Sequence, residues 1–391
     1  MKLIRVEIEG MELFPQKLEI NLYAKQRVNP NDTENLFWMC SNLYLNRTNA
    51  FIGINASGKT SVLRALAVTL QVLRRMPLNQ SIAQHALKNS PKTTITSYFM
   101  YGPTELFKLE TVIKSRSDVT VNENKYYIES ETLWKKAVDS GAVSIKNDLF
   151  SFQDKHEIMT RKGDEAFLSE DVSIIISLDD QYLNDMYFAS VVEITDLNFF
   201  PISNAVRVPM EYIRFLDPSI EKITIEGEGD NLLFRLKFFG KEEIIAYGIY
   251  QLNQYLSSGT IKGLTVFYNA TEVLKRGGYF LIDEIENHFN REIVATLIRL
   301  FQDRSTNPFG AVLLFSTHYP SLLDEFDRND AINIVRNMNG IEVQSLAEIL
   351  KRNDIKKSEA YDSSYLGGTA PSYETYIEMK RALLRELNEG Y

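Results

Sequence analysis

The alternation of apolar and polar residues predicts a chain that begins with β-strands and continues into a buried helix. Residues 1–9 alternate with the period of a strand, and the apolar residues 50–52 predict a buried strand. Apolar positions then recur at helical spacing through residues 58–76. Alternation returns afterwards and predicts three further strands, at residues 93–101, 106–113 and 124–128.

Two apolar runs in the second half of the chain predict buried parallel strands. Residues 279–282 are apolar and are followed directly by Asp283 and Glu284, and residues 311–315 lead into Ser316, Thr317 and His318. Residues 261–274 carry the apolar spacing of a helix. In open α/β sheets ligands bind at the carboxyl ends of the strands, so these polar residues are candidates for a site.

The segment at residues 53–60, GINASGKT, predicts a phosphate-binding loop. Its two glycines let the backbone curl so that successive N–H groups converge on phosphates at the start of a helix. Lys59 would reach the β- and γ-phosphates, and the Thr60 hydroxyl would bind Mg²⁺. The predicted ligands are therefore ATP and Mg²⁺, held by the residues Asn55, Ala56, Ser57, Gly58, Lys59 and Thr60.

The polar residues after the two strands predict a hydrolytic site. Asp283 is placed to hold Mg²⁺ through water, and Glu284 to orient and deprotonate an attacking water. His318 can donate a hydrogen bond to the γ-phosphate or to that water. The alternative is structural: an acidic turn after one strand and a histidine that ends another.

A second anion site is predicted at the start of the helix that follows residue 257. Ser257, Ser258 and Gly259 bring two hydroxyls and a glycine to this helix start. The alternative is that a serine simply caps the helix.

In this order the motifs resemble ABC-type ATPases of the SMC, RecF and OLD group, which are also described as AAA-family ATP-binding proteins. Residues 55–57 are similar to the interior of that family's loop, and residues 256–259 match its LSSG signature. Residues 283–288 resemble the DE-x-E-N-H stretch that leads into the D-loop, and His318 matches the switch histidine.

The sequence also departs from the family pattern. Thr260 stands where many relatives have Glu or Gln, and Phe289 and Asn290 replace a common Leu-His pair.

The resemblance implies an α/β fold, that of a P-loop NTPase of the ABC-ATPase head type. Such a head has a mixed central sheet flanked by helices, an antiparallel β-layer and, here, a compact α/β insertion. The implied N-terminal half, residues 1–129, contains the phosphate loop and the β-layer, and an insertion follows at residues 130–221. The implied C-terminal half, residues 222–345, contains the signature, the acidic strand and the switch histidine, and residues 346–391 form a tail. Strands near residues 223–225 and 232–236 are expected to return the chain to the sheet.

Family membership further implies a head-to-tail dimer, or a higher oligomer, in which Ser258 and Gly259 of one copy close over the ATP of the other. The expected activity is hydrolysis of ATP to ADP and phosphate, which drives a switch that regulates a separate effector protein. Similar subunits act in bacterial anti-phage and abortive-infection systems. The alternative is a RecF-like DNA-repair ATPase, so nucleic acid stays open as a partner.

The tail predicts a glycine turn at residues 365–371, followed by a helix from Ser372. Tyr373, Ile377, Leu384 and Leu387 fall on one side of this helix. They indicate either a face that packs back on the head or a docking surface for the effector.

Composition narrows the class of protein. The 391 residues are 44% hydrophobic, contain no apolar run long enough to span a membrane, and begin with an alternating strand rather than a signal peptide. A single cysteine, Cys40, excludes an internal disulfide and fits a reducing compartment, so we expect a cytoplasmic protein without a membrane partner. The net charge of −9 argues against a chain whose main role is non-specific duplex binding.

Overall fold

The computed structural model describes residues 1–118, 123–138, 149–162, 168–178, 187–192, 209–226, 233–252, 254–287, 289–363, 366 and 373–389. Its strands are β1 (Lys2–Glu9), β2 (Leu18–Asn21), β3 (Leu36–Cys40), β4 (Leu43–Asn46), β5 (Thr48–Ile52), β6 (Lys92–Tyr101), β7 (Glu105–Asp118), β8 (Glu123–Ala137), β9 (Glu157–Arg161), β10 (Phe188–Val191), β11 (Ile220–Glu226), β12 (Leu233–Phe238), β13 (Ile244–Tyr247), β14 (Tyr279–Ile282), β15 (Val312–Thr317), β16 (Ile332–Asn337) and β17 (Ile341–Ser345). Its α-helices are α1 (Lys59–Leu73), α2 (Ser81–Ala86), α3 (Met210–Leu216), α4 (Gly248–Leu252), α5 (Ser258–Arg276), α6 (Arg291–Gln302), α7 (Leu346–Ile349), α8 (Lys357–Asp362) and α9 (Tyr373–Glu389).

A mixed central sheet has the strand order β10-β14-β15-β5-β16-β17. All neighbours are parallel except β17, which runs antiparallel to β16. Successive side chains of β14 enter opposite cores: Tyr279 and Leu281 pack on one face, and Phe280 and Ile282 on the other. Burial on both faces explains the uninterrupted apolar run in the sequence. The mixed α/β fold predicted from the sequence is confirmed.

A second, antiparallel sheet has the order β2-β1-β6-β7-β8-β9. Helix α1 shares one hydrophobic core with this sheet and with one face of the central sheet. Twelve of its fifteen residues are buried, which is why its sequence is apolar on nearly all sides. The other face of the central sheet is covered by α6, whose residues Val294, Leu297, Ile298 and Phe301 are buried.

A smaller lobe contains β11, β12 and β13, which pair only with one another. The expectation that the strands near residues 223–236 return the chain to the central sheet is wrong. Phe234 and Leu236 instead face a core of their own, together with Ile213 of α3 and with Leu252 and Leu256. Of the predicted second strand, residue 232 lies outside the described residues.

The expected insertion at residues 130–221 contributes to both large sheets. Strand β8 runs across residue 130, and β10 pairs with β14 at the edge of the central sheet. Residue 221 lies within β11, whereas the boundary after residue 345 coincides with the end of β17. Residues 139–148, 163–167, 179–186 and 193–208 of this range lie outside the described residues.

Helix α9 is exposed along its described length. Tyr373, Met379, Leu383 and Leu387 are each at least half exposed, and among its described side chains only Ile377 is partly buried. The interpretation in which this helix packs back on the head is therefore wrong. The predicted glycine turn lies outside the described residues except for Leu366, which is buried. In the part of the chain that the structure describes, no helix is both long and apolar enough to cross a bilayer.

Candidate functional site

The loop at residues 53–60 leaves the carboxyl end of β5 and enters α1, and two glycines allow its path. A Cβ atom on Gly53 would lie 2.3 Å from the backbone oxygen of Val335. Gly58 has φ +98°, and a Cβ atom there would lie 2.3 Å from Cδ1 of Ile341. Asn337 also holds the loop, since its Nδ2 donates to the Ala56 carbonyl at 3.2 Å. Strands β16 and β17 therefore fix the shape of the loop.

The remaining loop residues differ in exposure. Asn55 and Ala56 are exposed at the tip of the loop, and Ala56 has a left-handed φ of +60°. Ser57 is buried, its N–H donates to the Ile54 carbonyl at 3.2 Å, and its Oγ is shielded without a hydrogen-bond partner among the described residues. The exposed tip leaves the loop accessible from outside.

Lys59 is the first residue of α1, and its amine points back across the loop. Nζ donates to the carbonyls of Gly53 and Ile54, both at 3.1 Å, and lies 3.3 Å from Nδ1 of His318. The residue is only 5% exposed. Burial lowers the pKa of Lys59, and this effect outweighs the opposing influence of nearby carboxylates, chiefly Asp283. The amine lies beside the loop at the start of a helix, where it could bind an anion by releasing these carbonyls.

Asp283 joins the loop to the neighbouring strands. Thr60 Oγ1 donates to Asp283 Oδ2 at 2.6 Å, and Ser316 Oγ donates to the other oxygen, Oδ1. The same serine oxygen accepts the N–H of Glu284 at 2.7 Å. A hydroxyl and a carboxylate at this distance are the oxygen ligands that Mg²⁺ uses beside phosphates and water. No cluster of three or more His, Cys, Asp or Glu that could hold a metal occurs among the described residues, so Mg²⁺ would need ligands from a bound phosphate and water.

Glu284 has a left-handed φ of +47° and a half-exposed carboxylate. Oε1 lies 3.2 Å from Nε2 of His318, and Oε2 accepts a hydrogen bond from Asn287 Nδ2. Burial raises the pKa of Glu284, but the hydrogen bonds from His318 and Asn287 outweigh it, so the pKa lies below its ordinary value. The carboxylate is therefore ionised at neutral pH and can accept a proton.

Neighbouring parallel strands bring these residues together. Strands β14, β15 and β5 are adjacent in the sheet, and Asp283, His318 and the loop follow their carboxyl ends. His318 spans the group, since one ring nitrogen faces Lys59 and the other faces Glu284. Lys59, Thr60, Asp283, Glu284 and His318 thus form one hydrogen-bonded cluster.

The predicted signature segment lies apart from this cluster in its hydrogen bonding. Ser257 is the N-cap of α5, where its Oγ accepts the N–H of Thr260 at 3.0 Å and lies 2.8 Å from the Thr260 hydroxyl. Gly259 lies in the first turn, and the side chain of Ser258 is outside the described residues. No described hydrogen bond connects the segment with the loop. Ser257 therefore caps the helix, as the structural alternative predicts, and this role needs no second chain.

The sequence assigned no role to three polar residues that position the cluster: Ser316, Glu286 and Asn287. Glu286 accepts the backbone N–H of His318 at 2.6 Å and is 7% exposed. Glu286 and Asn287 belong to the acidic motif at residues 283–288, which indicated a site but did not predict what these two residues do there. Ser316 directly precedes Thr317 at the end of β15, and only strand adjacency reveals its contact with Asp283. His288, also part of that motif, lies outside the described residues.

Comparison with known proteins finds distant similarity to solved structures only. No protein-family model matches the sequence, and the search of curated proteins finds no significant match. Among solved structures, the recombination mediator protein RecF-ATP of the RecFOR pathway is similar with a TM-score of 0.42 and 9% identity, over 88% of this chain and 98% of that chain. This similarity is too distant to assign a function.

Proposed function

We propose that this protein is an ATPase that binds ATP with Mg²⁺ and hydrolyses it to ADP and phosphate. The observation that carries the proposal is the convergence of Lys59, Thr60, Asp283, Glu284 and His318 at the carboxyl edge of parallel strands. An amine at a helix start, a hydroxyl paired with a carboxylate, and a second ionised carboxylate are the groups that hydrolysis of a phosphoanhydride requires.

Each residue has a role that follows from its position. The N–H groups at the start of α1 and the Lys59 amine bind the phosphates. Thr60 and Asp283 would hold Mg²⁺, which would neutralise charge on the phosphate oxygens. Glu284 takes a proton from the attacking water, and His318 orients the same carboxylate through Nε2. Nucleotide binding requires Lys59 to exchange its bonds with the loop carbonyls for bonds with phosphate.

Lys59→Ala tests the proposal directly. Loss of a charge-assisted bond to phosphate should weaken ATP affinity at least ~10-fold, measured with a fluorescent ATP analogue. Lys357→Ala is the matched control, because Lys357 is also 5% exposed, also has a pKa lowered by burial, and donates to a backbone carbonyl, that of Asn353. Equal ATP affinity of wild type and Lys59→Ala would contradict the proposal.

The active unit proposed is a head-to-tail dimer in which Ser258 and Gly259 of one copy approach the nucleotide of the other. Support comes from the sequence resemblance and from the position of these residues at the start of α5. Glu284→Gln, which should retain ATP, is expected to form an ATP-dependent dimer in light scattering. Adding Ser258→Arg should abolish that dimer while each chain still binds ATP. A dimer that persists would contradict the trans-acting signature.

A separate effector protein is the proposed partner, and the exposed apolar side of α9 supports it. Purification of Glu284→Gln with ATP and Mg²⁺ from the native host tests this role. A stoichiometric second protein would support the switch and, if it is a defence effector, the anti-phage role. DNA that copurifies without protein would instead support the DNA-repair ATPase, with hydrolysis stimulated by DNA and a steep dependence on salt.

A further inference from the structure

Glu286 is a buried carboxylate beside the proposed site that the mechanism above does not use. Glu286 is 7% exposed. Among the described residues its carboxylate makes one hydrogen bond, in which Oε1 accepts the N–H of His318 at 2.6 Å. Oε2 is shielded and has no hydrogen-bond partner among the described residues. Burying a carboxylate costs free energy unless hydrogen bonds or opposite charges compensate for it. The burial of Glu286 therefore indicates a structural role.

The position of His318 explains why an acceptor is needed there. Strand β15 ends at Thr317, so the sheet ladder no longer supplies a carbonyl for the N–H of the next residue. The chain after β14 runs alongside this strand end, where the N–H of Ile285 donates to the Ser316 carbonyl at 3.0 Å. The next residue, Glu286, accepts the N–H of His318 through its carboxylate. The carboxylate thereby fixes the backbone from which the imidazole extends.

The direction of the imidazole matters because both ring nitrogens have partners. Nδ1 lies 3.3 Å from Lys59 Nζ, and Nε2 lies 3.2 Å from Glu284 Oε1. A shift of the His318 backbone would therefore disturb both contacts at once.

We propose that Glu286 is a positioning residue that holds the backbone of His318, so that the imidazole connects the phosphate-binding lysine with the catalytic carboxylate. This inference rests on the proposed ATPase function. Glu286 acts through His318 and does not touch the substrate. Its contribution is to orientation during turnover rather than to the binding of the nucleotide.

A double-mutant cycle tests the inference with four proteins: wild type, Glu286→Ala, His318→Ala and the double variant. Glu286→Ala should lower kcat ~10-fold or more with nearly unchanged ATP affinity. Because Glu286 works through His318, the double variant should be no slower than His318→Ala alone, within about twofold. Glu286→Gln keeps an oxygen acceptor and should restore much of the rate.

Glu131→Ala is the matched control for folding. Glu131 is 1% exposed, lies on β8 of the antiparallel sheet, and accepts the N–H of Ile174 at 2.7 Å as well as hydrogen bonds from the Thr111 and Ser173 hydroxyls. Its loss should lower the unfolding temperature without changing kcat per folded molecule.

Three outcomes would overturn the inference while leaving the ATPase function standing: multiplying effects in the double variant, wild-type turnover by Glu286→Ala, or a kcat loss in Glu131→Ala as large as in Glu286→Ala. Absence of turnover in the wild-type protein would instead overturn the proposed function itself.

Discussion

Ser316→Ala should damage both stability and turnover, because one hydroxyl supports two residues of the proposed site. Ser316 is 0% exposed, donates to Asp283 and accepts the N–H of Glu284 at 2.7 Å. Losing the bond to the carboxylate removes about 1.5–3 kcal/mol, and the orphaned N–H costs about 1–3 kcal/mol. Since the two effects overlap, we expect a loss of about 2–4 kcal/mol in the free energy of unfolding, measured by urea denaturation.

Turnover should fall as well, because Asp283 and Glu284 lose a shared anchor. Ser173→Ala is the control: Ser173 is 1% exposed, donates to Glu131 at 2.8 Å and accepts the N–H of Ile175 at 3.3 Å. Ser173→Ala should lose a similar amount of unfolding free energy but keep the wild-type ATPase rate. The rate is measured at a temperature well below the unfolding transitions of both variants. If Ser316→Ala unfolds like the control yet hydrolyses ATP at the wild-type rate, the hydroxyl has no part in positioning the carboxylates.

Three further outcomes follow from the same geometry. Glu284→Gln should still bind ATP but turn over at least ~10²-fold more slowly in a phosphate-release assay, and near-normal hydrolysis would exclude Glu284 as the base. The acidic limb of the kcat/KM profile, which reports the free enzyme, should lie below pH 4.5, the ordinary value for Glu284. Asn287→Ala should move that limb upward by removing a bond that lowers the pKa, and an unmoved limb would assign it to another group. Glu284 then stabilises the fold above its unfolded pKa, and this contribution is lost as the pH falls through the lower folded pKa. Gly53→Ala should destabilise the protein by about 1–3 kcal/mol and weaken ATP binding, because its Cβ would lie 2.3 Å from the Val335 oxygen; unchanged affinity in titration would show that the loop adapts.

Local patterns were sufficient to predict most of the central elements. The run at residues 279–282 and the loop at 53–60 each predict their structure from neighbouring residues, because a strand buried on both faces and a glycine-dependent turn impose strong local requirements. The three strands after α1 were likewise predicted, although β8 extends nine residues beyond the predicted end at residue 128.

Contacts between distant segments could not be predicted in this way. The bond from Ser316 to Asp283 spans 33 residues, and only the adjacency of β14 and β15 creates it. The pairing of β12 with β13 instead of the central sheet depends on which apolar surface covers Phe234, and alternation alone does not specify the partner. The exposure of α9 is a tertiary property too, since its apolar side is compatible with either environment.

The left-handed backbone conformation of Glu284 means that the residue proposed for catalysis is not the residue type that this backbone position favours for stability. A non-glycine residue at φ +47° carries a conformational cost, on the order of 1 kcal/mol, that Gly or Asn would largely relieve. At acidic pH, where the stabilising contribution of the ionised carboxylate is lost, a library selected only for thermal resistance should therefore enrich Gly or Asn at residue 284 and discard the proposed base. Any effort to make this protein more robust would need to screen for turnover at the same time.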